Sequence, residues 1–213
     1  PEILSALTTP FDDSGDIVTS AFEANLARLE PWVDGVFVAG TTGEFPALEA
    51  DEHLDLTRRA LAVFGPDRVV VHTGAPSLRQ ALRLAAAAAA AGARRFAALT
   101  PYYLAATPAG CARYFSALKT ELAGAEVYGY LFPDVAVTEV LPDQLQPLLD
   151  AGIDGLKTSG RASRLVPDYL AVAPAGFKLW SGNDADLPGV MAAGGTGTVS
   201  GVSGVCPGPW AAF

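Results

Sequence analysis

The residue with the clearest chemical potential in this chain is Lys157, which closes the apolar run GIDGLK. An ordinary strand would end there in a turn-forming residue. Between apolar walls the ammonium form of a lysine loses hydration, which favours the neutral amine, a nucleophile toward carbonyl groups. A surface lysine is the competing interpretation of Lys157 taken alone. Two tyrosines and a threonine loop expected at the same rim favour the nucleophile.

A lysine that forms an imine needs a partner that moves protons, because the carbinolamine must lose water. A tyrosine hydroxyl in contact with other hydroxyls can do this. Tyr130 and Tyr103 both follow apolar runs, and Thr41 could link their hydroxyls. The alternative for either tyrosine is a core aromatic residue whose hydroxyl is simply satisfied.

The loop Gly40-Thr41-Thr42-Gly43-Glu44 joins a predicted strand to a predicted helix. Its backbone N–H groups, the helix N-terminus and two threonine hydroxyls suit a carboxylate or a phosphate. A plain turn is the alternative. Glu44 is expected to brace the loop by accepting backbone hydrogen bonds. The acidic segment FDDSGD lacks the full ligand set of a calcium loop and is expected to be solvated.

Short apolar runs alternate with amphipathic stretches along the chain, which is typical of parallel strands covered by helices. The pattern predicts helices over 19–31, 48–64, 77–91, 108–123, 141–150, 163–173 and 185–193. The predicted strands are Leu4–Thr8, Gly35–Ala39, Val69–His72, Phe96–Leu99, Val127–Tyr130, Gly155–Lys157, Phe177–Trp180 and Gly197–Ser200.

Eight βα repeats predict a (β/α)8 TIM barrel formed as a single domain over residues 1–213, with the last helix missing after the eighth strand. An open, doubly wound sheet is the main competitor, but the first βα turn carries no glycine-rich dinucleotide fingerprint. In the barrel the active site lies at the C-terminal ends of the strands. That rule gathers the lysine, the tyrosines and the threonine loop around one mouth.

Composition excludes several classes of function. The chain has 213 residues and a net charge of −9, which disfavours nucleic acid and anionic membranes as partners. Two distant cysteines and two distant histidines indicate neither a disulfide framework nor a metal site. The longest apolar stretch, Ala85–Ala91, is far too short to span a bilayer, and no secretory signal opens the chain. We therefore expect a soluble, cytoplasmic protein.

Five motifs at five predicted strand ends carry a resemblance to a known family. They are Gly40-Thr41-Thr42-Gly43-Glu44, Thr100-Pro101-Tyr102-Tyr103, Tyr130-x-x-Pro133, Gly155-Leu156-Lys157 followed by Ser159-Gly160, and Ser181-Gly182-Asn183-Asp184. In this order they make the chain resemble the dihydrodipicolinate synthase / N-acetylneuraminate lyase family over nearly its whole length. That family consists of pyruvate-dependent class I aldolases and lyases built on a (β/α)8 barrel.

The resemblance implies a role for each motif. Lys157 would form a Schiff base with pyruvate or another 2-oxo acid, which then reacts with an aldehyde. Tyr130 would transfer protons, with Thr41 and Tyr103 relaying them to solvent. No metal or organic cofactor is implied, and a homo-oligomer, a dimer or a tetramer, is expected, with Tyr102 entering a neighbour's site. The implied substrate-binding residues are Thr42, Gly40, Gly43, Gly182 and Val199.

The chain also departs from the family pattern. An arginine that binds the carboxylate of the aldehyde is expected shortly after Tyr-x-x-Pro, whereas this chain reads Pro133-Asp134-Val135-Ala136-Val137. Losing that five-donor fork disfavours an acidic second substrate. A 2-keto-3-deoxy-sugar-acid aldolase or dehydratase of the same family is therefore an alternative. A barrel that binds a 2-oxo acid without turnover is an alternative from another class.

Overall fold

The strands form where β-branched and apolar residues cluster between turn-forming residues, as in the run Val69–His72. The computed structural model describes residues 1–212, and its eight strands pair in parallel and in chain order to close a barrel. The strands are β1 (Glu2–Ala6), β2 (Gly35–Val38), β3 (Val69–His72), β4 (Arg95–Leu99), β5 (Glu126–Leu131), β6 (Gly155–Thr158), β7 (Lys178–Ser181) and β8 (Gly197–Ser200). The predicted TIM barrel is confirmed.

Helices alternate with the strands and cover the outside of the barrel. None of the helices within residues 1–212 is long and apolar enough to cross a membrane. They are α1 (Thr19–Leu29), α2 (Ala50–Phe64), α3 (Leu78–Ala90), α4 (Pro108–Glu121), α5 (Pro133–Ala136), α6 (Gln146–Asp150), α7 (Val166–Val172), α8 (Leu187–Ala192) and α9 (Pro207–Ala211).

Some predicted boundaries were wrong. Strand β1 begins two residues earlier than predicted, because the Glu2 N–H donates to the carbonyl of Thr196 and its Cα pairs with that of Gly197. Helix α1 begins at Thr19, as predicted, and its N-cap is Val18. Ser77 is the N-cap of α3, since its hydroxyl accepts the Gln80 N–H at 3.3 Å. The short helix α5 was not predicted.

The core consists of two concentric layers, because successive strand residues face opposite sides of the sheet. Leu4, Phe37, Tyr128 and Trp180 belong to the layer inside the barrel. Leucines, valines and alanines fill the layer between sheet and helices. The alanine run belongs to that outer layer, where the buried face of α3 includes Ala85 and Ala88. Small side chains there let the helix approach the sheet closely.

A charged cluster closes the end of the barrel where the strands begin. Arg95 is buried, and its Nη1 lies 2.9 Å from Glu2 Oε1 while its Nε donates to the Tyr128 hydroxyl at 3.1 Å. Lys178 Nζ lies 2.7 Å from Glu126 Oε1. These residues lie at or near the starts of β1, β4, β5 and β7, so they meet at that end of the barrel. We call this cluster, Glu2, Arg95, Glu126, Tyr128 and Lys178, the barrel floor.

Candidate active site

Lys157 lies at the C-terminal end of β6 and points into the barrel. Its side chain is 5% exposed, and its Nζ lies 3.9 Å from the centroid of the Tyr130 ring and 4.4 Å from that of Phe37. Within residues 1–212 it forms no ion pair. The amine of Lys157 therefore lies among aromatic rings near the barrel mouth, the environment that the sequence predicts.

Tyr130 stands beside the lysine because β5 and β6 pair with Tyr130 opposite Lys157. The Tyr130 hydroxyl lies 3.1 Å from Thr41 Oγ1 and donates to Ser159 Oγ at 3.3 Å. Burial by itself would raise the pKa of Tyr130. The charge of Lys157 and the hydrogen bonds with Ser159 and Thr41 outweigh burial, so that pKa lies below its ordinary value. The structure thus joins Lys157, Tyr130 and Thr41, and adds Ser159.

The Gly40–Glu44 loop is closed by its own backbone, since the Gly43 N–H donates to the Gly40 carbonyl at 3.0 Å. The N–H groups of Thr41 and Thr42 have no partner within residues 1–212, and both side chains are exposed at the mouth. A Cβ on Gly40 would lie 2.8 Å from the Phe37 ring, and one on Gly43 would lie 2.9 Å from the Leu7 carbonyl oxygen. Only glycine fits these two close approaches.

Two expectations about this loop were wrong. Helix α2 does not begin directly after the loop, because the short 3-10 helix Phe45–Ala47 lies between the loop and α2. Its N-terminus therefore contributes no donors there. The Glu44 side chain is exposed and makes no hydrogen bond within the described residues. Bracing comes instead from Thr9, whose hydroxyl donates to the Gly43 carbonyl at 2.8 Å.

His72, at the end of β3, braces the same loop from beneath. Its Nδ1 lies 2.9 Å from the Ala39 carbonyl oxygen, and its Nε2 lies 3.1 Å from the Leu99 nitrogen. Because the amide can only donate, Nε2 accepts and Nδ1 carries the proton. Ala39 has a left-handed φ of 51°, so this bond holds strained backbone. Partners this distant along the chain leave no local signal in the sequence.

The buried His72 makes the stability of the fold depend on pH. Burial first, then the charge of Lys157 and of His53, lowers the pKa of His72 to about 3. The unfolded chain takes up this proton below pH 6.5 whereas the folded chain does not, so stability is full above pH 6.5 and falls as the solution is acidified toward pH 3. Between pH 6.5 and about pH 4.5, this proton uptake at His72 should lower the free energy of unfolding by about 2 kcal/mol.

Urea unfolding of the parent and of His72→Gln at both pH values measures this. The variant should lose the His72 part of the slope and keep the part from His53, whose pKa burial also lowers. Equal slopes in the two proteins would show that His72 is not the group responsible.

Two further residues, Gly182 and Val199, were predicted to line the pocket. Gly182 directly follows β7, and Val199 lies on β8. A Cβ on Gly182 would lie 2.4 Å from Ser159 Oγ and 3.5 Å from Lys157 Cε, so a side chain there would take the space beside the lysine. Val199 is buried in the layer inside the barrel and pairs with Leu4. Gly182 therefore lies beside Lys157, and Val199 belongs to the layer inside the barrel.

Tyr103 is not brought to the Tyr130 hydroxyl within this chain. It is 84% exposed and has a left-handed φ of 74°. Tyr102 instead packs edge-on against Phe45, with ring centroids 5.7 Å apart. The tyrosine that reaches away from its own chain is therefore Tyr103, whereas the resemblance had assigned that position to Tyr102. The relay role of Tyr103 stays a prediction.

A closed parallel barrel whose β6 lysine sits beneath a hydrogen-bonded tyrosine is the arrangement of a class I aldolase. Comparison with known proteins agrees, because the profile described as the dihydrodipicolinate synthetase family matches residues 1–213. The chain belongs to that family. Membership confirms the predicted enzyme class, a lyase of the class I aldolase type.

Individual relatives cover most of the chain. The 4-hydroxy-tetrahydrodipicolinate synthase of Thiobacillus denitrificans is 33% identical over 211 residues, which are 96% of this chain and 70% of that protein. The synthase structure from Methylacidiphilum fumariolicum SolV has a TM-score of 0.91 at 28% identity, covering 99% of this chain and 71% of the other. The E. coli K12 prophage protein YagE, solved in complex with pyruvate, has a TM-score of 0.86 at 27% identity, covering 95% and 70%.

Proposed function

We propose that Lys157 forms an imine with pyruvate and that the resulting enamine adds to an aldehyde, or is released from one in the reverse reaction. The lysine amine and the ketone carbonyl lose one water, and loss of a C3 proton gives the enamine. Its carbon attacks the aldehyde carbonyl, and hydrolysis returns the lysine and a 4-hydroxy-2-oxo acid. The single observation that carries this is the amine of Lys157, buried against the face of Tyr130 and without an ion pair among residues 1–212.

The surrounding residues divide the remaining work. The Tyr130 hydroxyl exchanges protons with the carbinolamine and the C3 carbon, and its bond to Thr41 leads to the mouth. The hydroxyl and N–H of Thr42 and the N–H of Thr41 bind the pyruvate carboxylate at the Gly40–Gly43 loop; the absence of a partner for either N–H within residues 1–212 supports this. Gly182 and Val199 leave room for the methyl and methylene carbons. The lysine itself supplies the electron sink, so the proposed reaction uses no cofactor.

Reduction with borohydride in the presence of pyruvate tests the proposal. The intact protein should gain the mass of one reduced pyruvate, and peptide mapping should place it on Lys157. The chain offers two matched controls, because its other lysines, Lys119 and Lys178, are held in ion pairs with Asp154 and Glu126. An unchanged mass, or an adduct that persists in Lys157→Ala, would contradict the proposal.

Thr41→Val should change the pH dependence of turnover in a defined direction. Tyr130 must be protonated to act as an acid, so turnover falls as pH rises through its pKa. The hydrogen bond with Thr41 helps to keep that pKa below its ordinary value. Its loss should move the alkaline limb of kcat to higher pH, and kcat itself should fall about tenfold. A pH profile of pyruvate-dependent turnover measures both effects; an alkaline limb that moves to lower pH would refute the assignment.

The second substrate is a separate part of the proposal. Val135 follows Asp134 where the family resemblance expects an arginine, and its side chain is 50% exposed. This favours a 2-keto-3-deoxy-sugar-acid aldolase or dehydratase over a strict dihydrodipicolinate synthase. A substrate panel scored by pyruvate release distinguishes them. Pyruvate binding without turnover of any aldehyde or sugar acid would instead indicate the non-catalytic barrel.

We also propose a cytoplasmic homo-oligomer, a dimer or a tetramer, in which Tyr103 of one copy completes the relay of another. The exposure of Tyr103, together with Leu104 at 75%, supports this. Sedimentation of the parent and of Tyr103→Ala measures the assembly directly.

A further inference from the structure

A polar cleft lies between the segments that follow β5, β6 and β7. Its volume is about 540 Å³, and it shares Gly182 with the lysine site, since a Cβ there would lie 3.5 Å from Lys157 Cε. Gly182 thus borders both Lys157 and the cleft. The lining residues include Asp134, Arg161, Arg164, Gly182, Asn183 and Asp186. We call this space the β6 cleft.

Arg161 is held in one orientation in the β6 cleft. Its Nη1 lies 3.1 Å from Asp134 Oδ1, and its Nε lies 2.8 Å from Glu139 Oε1. Its own backbone N–H donates to Asp134 Oδ2 at 2.8 Å. Gly160 permits this approach, because it has a left-handed φ of 58° and a Cβ there would lie 2.0 Å from Asp134 Oδ2. The backbone and the side chain of Arg161 are thus both fixed by Asp134.

The two carboxylates also neutralise the arginine. Arg161 and Arg164 are opposed by Asp134, Glu139 and Asp186, so the charged groups around the β6 cleft carry one more negative than positive charge. Because Arg161 is paired with carboxylates, it presents no net positive charge to an incoming anion. Its Nη2 has no partner within residues 1–212 and can still donate a hydrogen bond. Donors and acceptors without net positive charge suit hydroxyl groups better than a carboxylate.

We propose that the β6 cleft is the subsite for the aldehyde half of the substrate and that Arg161, held between Asp134 and Glu139, determines its specificity. Arg161 selects an uncharged hydroxyaldehyde over one that bears a carboxylate. This inference rests on the proposed imine chemistry at Lys157. The arginine that the resemblance expects after β5 is missing, and Arg161 stands instead after β6. The carboxylates of Asp134 and Glu139 neutralise the charge of Arg161.

Two aldehydes that differ only in the terminal group test the inference with pyruvate held constant. These are glyceraldehyde and freshly prepared tartronate semialdehyde, which carries a carboxylate in place of the hydroxymethyl group. The parent should favour glyceraldehyde in kcat/KM by about tenfold or more. Asp134→Asn with Glu139→Gln unmasks the arginine, so the ratio should move about tenfold toward the anion, and less in high salt. Arg161→Ala should lower kcat/KM for glyceraldehyde about tenfold.

Borohydride trapping of pyruvate on Lys157 should keep its rate in all these variants, which separates this inference from the proposed function. Arg58→Ala, an exposed arginine on α2, is the matched control and should leave the ratio unchanged. A parent that prefers tartronate semialdehyde, with that preference lost in Arg164→Ala, would overturn the inference and make Arg164 the carboxylate receptor. The inference would also be overturned if the ratio did not respond to Asp134→Asn with Glu139→Gln, or if Arg161→Ala did not lower kcat/KM for glyceraldehyde. An adduct with no reaction of either aldehyde would overturn it as well. Failure of the adduct itself would count against the imine.

Discussion

Lys157→Met should abolish turnover without weakening the fold. We expect kcat to fall by at least about 10⁴-fold, because loss of a covalent nucleophile removes the reaction path rather than one contact. The free energy of unfolding should stay constant or rise by about 1 kcal/mol, since methionine fits between aromatic rings without the desolvation cost of a buried amine. Activity and stability should therefore change in opposite directions.

Steady-state kinetics and urea unfolding of the same preparation measure the two effects. Lys119→Met is the control, because this lysine is paired with Asp154 at 2.7 Å far from the mouth. It should keep its turnover and lose stability. A Lys157→Met protein that unfolds more readily than the parent would mean that the lysine also stabilises the barrel.

Tyr130→Phe should lower kcat by about 10²- to 10³-fold while the barrel stays intact. The ring that packs against Lys157 is kept, and only the hydroxyl that contacts Thr41 and Ser159 is lost. Imine formation should slow by a similar factor, which rapid-quench borohydride trapping measures. The midpoint of urea unfolding should change little, because both partners are hydroxyls and Thr41 is exposed at the mouth, where it can bond to water instead.

Tyr169→Phe provides the comparison. Its hydroxyl is buried and donates to the Val140 carbonyl at 2.7 Å in the outer layer of the core. Removing it leaves a buried acceptor unpaired and should cost about 1 kcal/mol of stability without changing kcat. Equal losses of kcat in both variants would show that the Tyr130 hydroxyl has no special part in proton transfer.

The sequence was sufficient for the parts of this site that follow from topology. Parallel strands of a barrel share one C-terminal end, so Lys157, Tyr130 and Thr41 could be assigned to the same mouth from their places after apolar runs. Strand pairing then sets the rest, because Tyr130 and Lys157 occupy facing positions on neighbouring strands. These relations depend on the regular alternation of strands and helices, which can be read from a single sequence.

Side-chain directions in the loops could not be predicted in the same way. The link between His72 and Ala39 spans 33 positions, and that between Arg161 and Asp134 spans 27. Neither pair has a local pattern, since each depends on how two loops settle on the finished barrel. The left-handed backbone of Tyr103 likewise carries no sequence signal, because tyrosine rarely adopts it. Its predicted contact with Tyr130 failed within the chain for that reason.

The barrel floor has a consequence for the traffic of hydrogen atoms. Arg95 is buried between the rings of Tyr128 and Trp180, and the Trp180 indole donates to Glu2 Oε2 at 3.0 Å, so ion pairs and aromatic rings seal that end. Above the floor the interior is filled by apolar side chains up to the level of Lys157. Within residues 1–212 the site of Lys157 therefore faces the mouth rather than the floor. In heavy water, deuterium destined for the methyl carbon of pyruvate should arrive through the same hydroxyl-lined opening as the aldehyde, so a bound aldehyde should slow isotope exchange by blocking that opening.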